Sequence, residues 1–203
     1  RFQDGYDKIT GLPGHLLYCD RLVQVLGAAR RAQNTAAVVC VGIDAFRRIN
    51  NTLGAAVGAD VLRAVGERMG AVLRATDTVA LMPPVAETST LSRLGPDEFG
   101  LALGGLNSPD SATWVVQRLL EQLARPYDAG GQQVYLQATI GVALCPDDSA
   151  EGEGLLRCAS AARREAADRQ TFPAPPGSMT RGADRTTKRS AAPAASAVPA
   201  ARA

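Results

Sequence analysis

Ser92-Arg93-Leu94-Gly95-Pro96-Asp97-Glu98-Phe99 is the stretch that decides the fold of this chain, because it combines a turn, two carboxylates and the start of an apolar run. Gly95 followed by Pro96 fits a hairpin turn in which the glycine takes a positive φ and the proline holds φ at about −65°. The apolar residues after Glu98 predict a strand. The pattern therefore places Asp97 and Glu98 at the tip of a β-hairpin.

Apolar periodicity on both sides of this hairpin predicts alternating helices and strands. Residues 36–43 form a continuous apolar run, which is typical of a central strand buried on both faces. Trp114 belongs to the expected buried stripe of a helix over 108–123. The full set of predicted helices covers 16–29, 57–73, 108–123 and 152–168, and the predicted strands cover 36–43, 77–82, 98–103 and 133–144.

The order of these elements predicts an α/β fold of the α+β type, with a ferredoxin-like, palm-type sheet between helices. We expect two helices on each face of a mixed sheet, with strands 77–82 and 98–103 paired as an antiparallel hairpin. Acidic residues at the strand ends and at the hairpin tip of such a sheet are suited to metal-assisted phosphoryl transfer.

Composition disfavours several classes of protein. The chain has 203 residues, 46% of them hydrophobic, and no apolar run reaches the ~18–20 residues of a membrane span. The N-terminal residues lack the apolar segment typical of a secretory signal. The four cysteines are far apart and His15 is the single histidine, which disfavours a zinc site or a disulfide framework and predicts reduced thiols in the cytoplasm.

The C-terminal segment 169–203 differs from the rest of the chain. It holds six Arg and Lys residues against one acid, Asp184, whereas residues 1–168 have an excess of acids. It is rich in Pro, Ala, Ser and Thr and has too few apolar groups to offset the entropy cost of folding. We therefore predict one folded domain over 1–168 and a disordered basic tail or linker over 169–203. Scattered charges without interleaved aromatic residues disfavour a nucleic-acid partner for this tail.

Four segments together carry a resemblance to a known family. Residues 7–13 read DKITGLP, residues 42–54 read GIDAFRRINNTLG, residues 92–99 read SRLGPDEF and residues 138–143 read ATIGVA. In this order they resemble the D-x-L-T-G-L-P entry motif, the D-x-D-x-F-K-x-I-N-D-x-x-G segment, the R-x-G-G-D-E-F signature and the S-I-G-I-A strand of GGDEF domains, the diguanylate cyclase family. The resemblance covers about residues 5–168 and implies the fold of that family.

The resemblance also implies a reaction, the condensation of two GTP molecules into cyclic di-GMP, with one half-site on each of two facing domains. It implies two Mg²⁺ ions held by a carboxylate at position 42, by the backbone carbonyl of Ile43 and by Asp97, and it makes Asp97 and Glu98 the candidate catalytic acids. Position 42 is Gly42, which has no side chain to ligate a metal. We therefore expect weak or absent binding of Mg²⁺.

The nucleotide contacts implied by the resemblance are only partly present. Asn50 matches the asparagine that binds guanine, and Gly95 matches a glycine of the phosphate-facing turn. Pro96 replaces a second glycine and removes an N–H donor from that turn. Three further contacts implied by the family, an Asp, a Tyr and a Lys, are replaced here by Ala59, Arg164 and Ala167.

Asp44 is the candidate that could compensate for Gly42. Residues i and i+2 of a strand face the same side, so Asp44 projects toward the same surface. It lies roughly 6–7 Å along the strand, too far to replace a ligand at position 42 without movement of the backbone. Sharing of metal ions among Asp44, Asp97 and Glu98 stays open as the alternative.

Arg74 and Asp77 match the R-x-x-D motif that, in the family, binds cyclic di-GMP as a feedback inhibitor. Guanidinium groups suit this role because they pair with phosphates and base edges. About twelve extra residues separate the motif from the signature in this chain. A simple surface ion pair between Arg74 and Asp77 is the alternative.

The combined expectation is a degenerate GGDEF domain in bacterial cyclic di-GMP signalling, catalytically impaired, that binds GTP or cyclic di-GMP weakly or dimerises. Such a domain would regulate an attached or separate cyclic di-GMP phosphodiesterase or effector domain. A second copy of the chain, in a homodimer, is a further expected partner. Two alternatives stay open. One is an active diguanylate cyclase that uses GTP and Mg²⁺, and the other is a protein-interaction module without nucleotide.

Overall fold

The computed structural model describes residues 5–76, 89–129, 131–171 and 197–198. The helices and strands follow one another in the order α1 (His15–Ala32), β1 (Thr35–Ile43), α2 (Phe46–Leu53), α3 (Ala55–Thr76), β2 (Thr90–Arg93), β3 (Glu98–Leu106), α4 (Pro109–Leu123), β4 (Tyr127–Ala129), β5 (Gln132–Val134), β6 (Ala138–Cys145), α5 (Gly152–Thr171) and β7 (Ala197–Val198). The four long helices predicted from apolar periodicity are confirmed. The short helix α2 is not among the predicted helices.

Strand β1 lies at the centre of a five-stranded sheet with the order β2-β3-β1-β6-β7. Residues 36–43 of β1 are buried, because a strand flanks each edge and helices cover both faces. All neighbouring strands described in this sheet pair antiparallel, so the expectation of a mixed sheet is wrong. β1 and β2 do run in the same direction, as the ferredoxin-like connection through α3 requires, but β3 lies between them.

The side chains of β1 alternate between two cores, since successive residues of a strand point to opposite faces. Val39 and Val41 pack into the core under α3 and α4. Val38 and Cys40 pack into the core under α1 and α5. The predicted arrangement of two long helices on each face of the sheet is therefore confirmed.

The hairpin of the signature differs from the expected one in its first strand. Residues 90–93 form β2 and pair with β3, whereas the expected partner, 77–82, lies outside the described residues. Thr90 and Ser92 are buried although they are polar, which is why apolar periodicity did not indicate this strand.

Two further expectations about the elements are corrected. Residues 133–144 do not form one strand, because β5 pairs with β4 in a separate two-stranded sheet and 135–137 separate β5 from β6. Trp114 is 38% exposed and so does not belong to the core. The buried stripe of α4 consists of Ala112, Val115, Val116, Leu119 and Leu123.

The last helix is longer than predicted. Helix α5 continues to Thr171, whereas the predicted helix ended at 168, and the two residues of β7 pair with Ile140 and Gly141 of β6. The remainder of 172–203 lies outside the described residues, so the predicted tail stays a prediction. Within the described ranges, no helix combines the length and the apolarity that crossing a bilayer requires.

An ion pair between Arg93 and Asp7 joins the N-terminal segment to the signature hairpin. Nη1 of Arg93 donates to Oδ2 of Asp7 at 2.9 Å, while its Nε and Nη2 donate to the carbonyl oxygens of Gly95 and Pro96 at 3.1 and 2.6 Å. Oδ2 of Asp7 also accepts hydrogen bonds from the N–H and the hydroxyl of Thr10. The Arg93 side chain is only 8% exposed. Two motifs far apart in the sequence thus share one largely buried polar network.

Helix α5 lies directly against the backbone of β6 at Gly141. An ideal Cβ atom at this position would overlap the carbonyl oxygen of Ala159 and the amide nitrogen of Arg163. Both are backbone atoms of α5, so neither can rotate away. The absence of a side chain at Gly141 therefore sets the distance between α5 and the sheet.

Replacing Gly141 with alanine should lower the free energy of unfolding by about 1–3 kcal/mol, because α5 must move outward to make room. Urea denaturation measures this change. Gly27→Ala is a matched control, since its Cβ would lie 3.4 Å from the Arg31 guanidinium, the far end of a flexible side chain, and alanine favours the helix. Equal stability of Gly141→Ala and the wild type would contradict this packing.

Replacing Asp7 with asparagine should lower the free energy of unfolding by about 1–3 kcal/mol at pH 7, because Arg93 loses its charged partner. Burial raises the pKa of Asp7, but hydrogen bonds from Thr10 and Arg93 outweigh it, and the pKa lies below its usual 3.8. The carboxylate therefore stabilises the fold above about pH 4, and this contribution is lost as the pH falls through the lowered pKa.

Urea denaturation at pH 7 and in acid measures the effect of Asp7→Asn, and the difference from the wild type should shrink in acid. Asp60→Asn is the control, because the Asp60–Arg63 pair is about half exposed and contributes ~0–1 kcal/mol. A difference for Asp7→Asn that does not depend on pH would contradict the role of the charge.

Candidate functional site

The C-terminal end of β1 brings together the residues expected at the metal site. Gly42 lies opposite Glu98 of β3 on one side and opposite Thr139 of β6 on the other. The N–H of Ile43 donates to the carbonyl oxygen of Asp97 at 2.9 Å, which holds the start of β3 beside β1. Three segments that are distant in the sequence therefore meet around Gly42.

The guanidinium group of Arg163 occupies the space that a side chain at position 42 would need. An ideal Cβ atom on Gly42 would lie 2.5 Å from Nη1 and 3.2 Å from Cζ of Arg163. Nε of Arg163 lies 3.4 Å from Oε1 of Glu98 and forms an ion pair, although this nitrogen has no hydrogen-bond partner among the described residues. A cation that belongs to the protein thus lies beside one of the two expected catalytic carboxylates.

Asp44 is held in place by hydrogen bonds to Thr139 of β6 and to the residue before that strand, Gln137. Its Oδ2 accepts a hydrogen bond from the Thr139 hydroxyl at 2.7 Å, and its N–H donates to the carbonyl oxygen of Gln137 at 2.8 Å. Burial raises the pKa of Asp44, and the nearby Asp97 carboxylate raises it further. The hydrogen bond from Thr139 and the positive charge of Arg163 offset part of this rise in pKa.

The signature turn is wider than the expected two-residue turn. The N–H groups of Leu94 and Gly95 both donate to the carbonyl oxygen of Glu98, at 2.8 and 3.2 Å, and residues 94–97 separate β2 from β3. Gly95 does not take a positive φ, so that expectation is wrong. A four-residue loop can reverse the chain without a residue at positive φ.

Asn50, the candidate guanine contact, lies on α2 with its side chain against α3. Its Oδ1 is buried and has no hydrogen-bond partner among the described residues. An ideal Cβ atom on Gly58 of α3 would overlap this oxygen, so only glycine leaves room for it. No described contact joins Asn50 to the cluster around Gly42.

The inhibitory-site candidates are only partly described. Arg74 is exposed in the last turn of α3. Asp77 lies outside the described residues, as does most of the insertion that follows it. The R-x-x-D pairing therefore stays a prediction.

The residues at the end of β1 do not fit the two-metal site that the resemblance implies. Gly42 offers no ligand, and the guanidinium of Arg163 takes up the adjoining space. In the described part of the chain, no group of three or more His, Cys, Asp or Glu side chains could hold a metal ion. Mg²⁺ requires several oxygen ligands in near-octahedral geometry, and a guanidinium beside it adds repulsion.

Sequence spacing did not single out Arg163 or Thr139. The resemblance directed attention to Arg164 and Ala167 of the same helix. The spacing of small residues along α5 could have indicated Arg163, because small residues at helical spacing mark the side of a helix that faces a sheet, and Arg163 lies on that side. The buried alanines that define this phase are Ala159, Ala162 and Ala166.

Comparison with known proteins agrees with the motifs. The family model described as "Diguanylate cyclase, GGDEF domain" matches residues 5–171. The chain is 34% identical over 163 residues to the bifunctional diguanylate cyclase/cyclic di-GMP phosphodiesterase MucR of Pseudomonas aeruginosa, a match covering 80% of this chain and 22% of MucR. It is 32% identical over 157 residues to the cyclic di-GMP phosphodiesterase NbdA of the same organism, covering 77% of this chain and 18% of NbdA. The chain thus spans about a fifth of the length of these relatives.

A solved structure agrees with the fold. The GGDEF domain of TpbB (YfiN) from Pseudomonas aeruginosa superposes with a TM-score of 0.71 at 30% identity, covering 81% of this chain and 89% of that one. The central antiparallel sheet flanked by helices is the architecture of this family. Since the family model matches most of the chain, this protein belongs to the GGDEF domain family of cyclic di-GMP signalling.

Proposed function

We propose that this chain is a catalytically impaired GGDEF domain that acts as a regulatory module. The observation that carries the proposal is the position of Arg163, whose guanidinium lies over Gly42 and forms an ion pair with Glu98. A side chain of the protein thus supplies positive charge close to where the family resemblance implies Mg²⁺.

Arginine at this position cannot substitute for a metal ion that stabilises the negative charge of the phosphates during phosphoryl transfer. The catalytic gain in that reaction is almost wholly electrostatic and positional, and it depends on cations that contact the reacting phosphate oxygens. Arg163 is held by the packing of α5 on β6, and its Nε is directed toward Glu98. Its charge therefore neutralises a carboxylate of the protein and is not free to move with a phosphate.

The charges around Arg163 also weaken binding of a triphosphate. Arg163 forms an ion pair with Glu98 and lies near Asp44, which is also near Asp97. The charge of Arg163 is therefore already engaged by carboxylates of the protein. GTP carries several negative charges, so its phosphates are repelled unless another cation enters with them.

Nucleotide binding without catalysis is a second candidate function, and Asn50 favours it. A buried carbonyl oxygen without a hydrogen-bond partner costs about 1–3 kcal/mol. Oδ1 of Asn50 is in this state among the described residues. The N–H donors on the edge of a guanine base would supply the missing hydrogen bond if a small movement of α2 exposed this oxygen.

The relatives suggest what such a module would regulate. MucR and NbdA are named as phosphodiesterases of cyclic di-GMP, and the matched segment is about a fifth of each. We propose that this domain controls an attached or separate cyclic di-GMP phosphodiesterase or effector domain. A cytoplasmic location, where GTP is present, belongs to the same proposal.

Wild-type protein should form no cyclic di-GMP from GTP and Mg²⁺ above a control without protein. The double variant Gly42→Asp/Arg163→Ala should bind Mn²⁺ more tightly than the wild type, because it adds a carboxylate and frees the space for it. Electron paramagnetic resonance of Mn²⁺ measures this without reference to activity. Gly42→Asp alone should gain little, because the new carboxylate pairs with Arg163.

Arg164→Ala is the matched control for the metal-binding test, because Arg164 is an exposed neighbour on the same helix. It should leave Mn²⁺ binding unchanged. Wild-type turnover of about 1 s⁻¹ or faster, within the ordinary range of enzymes, would overturn the proposal.

The affinity for GTP should rise by no more than about tenfold from a chelator to Mg²⁺, because Mg²⁺ lowers the charge of the triphosphate but is not expected to link the phosphates to the carboxylates. Isothermal titration calorimetry with GTP, and separately with cyclic di-GMP, measures this. If Asn50 binds guanine, Asn50→Ala should weaken the binding of GTP about tenfold, which is equivalent to the loss of one hydrogen bond. ATP should bind to the wild type no more tightly than GTP binds to this variant.

The calorimetric outcomes separate the alternatives. Tight GTP binding that requires Mg²⁺ would favour an active cyclase. Absence of heat with both ligands would favour a protein-interaction module without nucleotide.

A further inference from the structure

We infer that the outer edge of strand β6 is a docking site for an extended segment, and that the C-terminal segment of this chain is its reversible occupant. In the sheet, β6 lies between β1 and β7, so β7 is its neighbour on the outer side. Ala197 and Val198 form β7 and pair antiparallel with Gly141 and Ile140 of β6. The inference does not rest on the proposed loss of catalysis.

The outer edge of β6 needs a partner, because an uncovered edge strand presents a row of unpaired N–H and C=O groups. Residues 138–143 of β6 are all buried, so the sheet is well packed up to this edge. β7 pairs with two of the eight residues of β6. The pairing is short, and each backbone hydrogen bond contributes little net stability. The segment can therefore leave the edge without unfolding of the sheet.

The opposite edge of the sheet is closed more firmly. The N–H of Arg93 in β2 donates to the carbonyl oxygen of Pro13 at 2.9 Å. The N-terminal segment that carries Pro13 is also held by the largely buried ion pair between Arg93 and Asp7. Ala197 and Val198 have no charged side chain with which to anchor β7 in the same way. The exchangeable edge of the sheet is therefore the edge of β6.

The sequence of the C-terminal segment suits an edge strand. Val198 precedes Pro199, and the residue before a proline is restricted to extended conformations. Proline has no N–H to donate, which agrees with a strand that stops at Val198. Residues 172–196 tether the strand to α5, and docking of a tethered segment is favoured over docking of the same segment as a free peptide. The chain's own segment is therefore the expected occupant.

Docking at this edge coincides with the contact that positions α5. Gly141 pairs with Ala197 of β7 and also lies against backbone atoms of Ala159 and Arg163 in α5. Helix α5 itself contacts β7. The docked segment thus covers the edge at the point where β6 and α5 meet.

Hydrogen exchange of the full 203-residue chain tests the docking. Ala197→Pro/Val198→Pro removes both N–H donors of β7, so the outward amides among residues 140–142 should exchange at least about tenfold faster than in the wild type. The amides of β6 that donate to β1 should not change and are an internal reference. Ala200→Pro/Ala201→Pro is the matched control, because these residues follow the strand, and it should leave all exchange rates unchanged.

A peptide with the sequence of residues 193–203 tests whether the edge accepts the segment in trans. The peptide should bind to Ala197→Pro/Val198→Pro, whose edge is uncovered, at least about tenfold more tightly than to the wild type, whose edge is occupied. Fluorescence anisotropy of the labelled peptide measures this affinity. A peptide that carries the same two prolines is the control and should bind to neither chain.

Unchanged exchange at residues 140–142 in the variant, or equal affinity of both chains for the peptide, would overturn the inference. A variant that circular dichroism shows to be unfolded would also overturn it, because the segment must be able to leave without unfolding of the sheet. Protection that persists in the variant and rises with protein concentration would assign the edge to a second copy of the chain, against the inference.

Discussion

Helix α5 can lie on the central sheet only because two glycines leave the backbone uncovered beneath it. Gly141 of β6 lets the backbone of the helix approach, and Gly42 of β1 makes room for the Arg163 side chain that this approach brings in. Any larger residue at either position would move α5 or Arg163. The site at the end of β1 is therefore a consequence of helix–sheet packing, and the pairing of Arg163 with Glu98 follows from it.

The fold and the candidate site depend on different interactions, which explains how one can persist while the other changes. The fold depends on β1, which is buried on both faces, and on the polar network of Arg93 and Asp7. Neither requires a carboxylate at position 42. The network also holds the carbonyl oxygens of the signature turn, so the hairpin keeps its place although Pro96 has replaced a glycine of the family motif.

Helix α5 has different contacts on its two sides. Its inner side carries Arg163 over Gly42, and residues on its outer side line a groove together with α1. Because the contact with Gly141 is between backbone atoms, α5 has little freedom to shift without moving Arg163. A partner that holds the outer side of α5 would therefore also hold the ion pair at the end of β1.

The sequence alone determined the four long helices, the central strand and the family, because apolar periodicity and the spacing of four motifs are local properties of the chain. It also showed that position 42 lacks a carboxylate. It did not indicate β2, because the buried polar residues Thr90 and Ser92 hide the strand pattern, nor the antiparallel order of the whole sheet. Only the tertiary structure decided which side chain fills the space beside Gly42. Arg163 is remote from Gly42 in sequence, and the two meet because α5 packs on bare backbone, a contact that leaves no periodic signal in either segment.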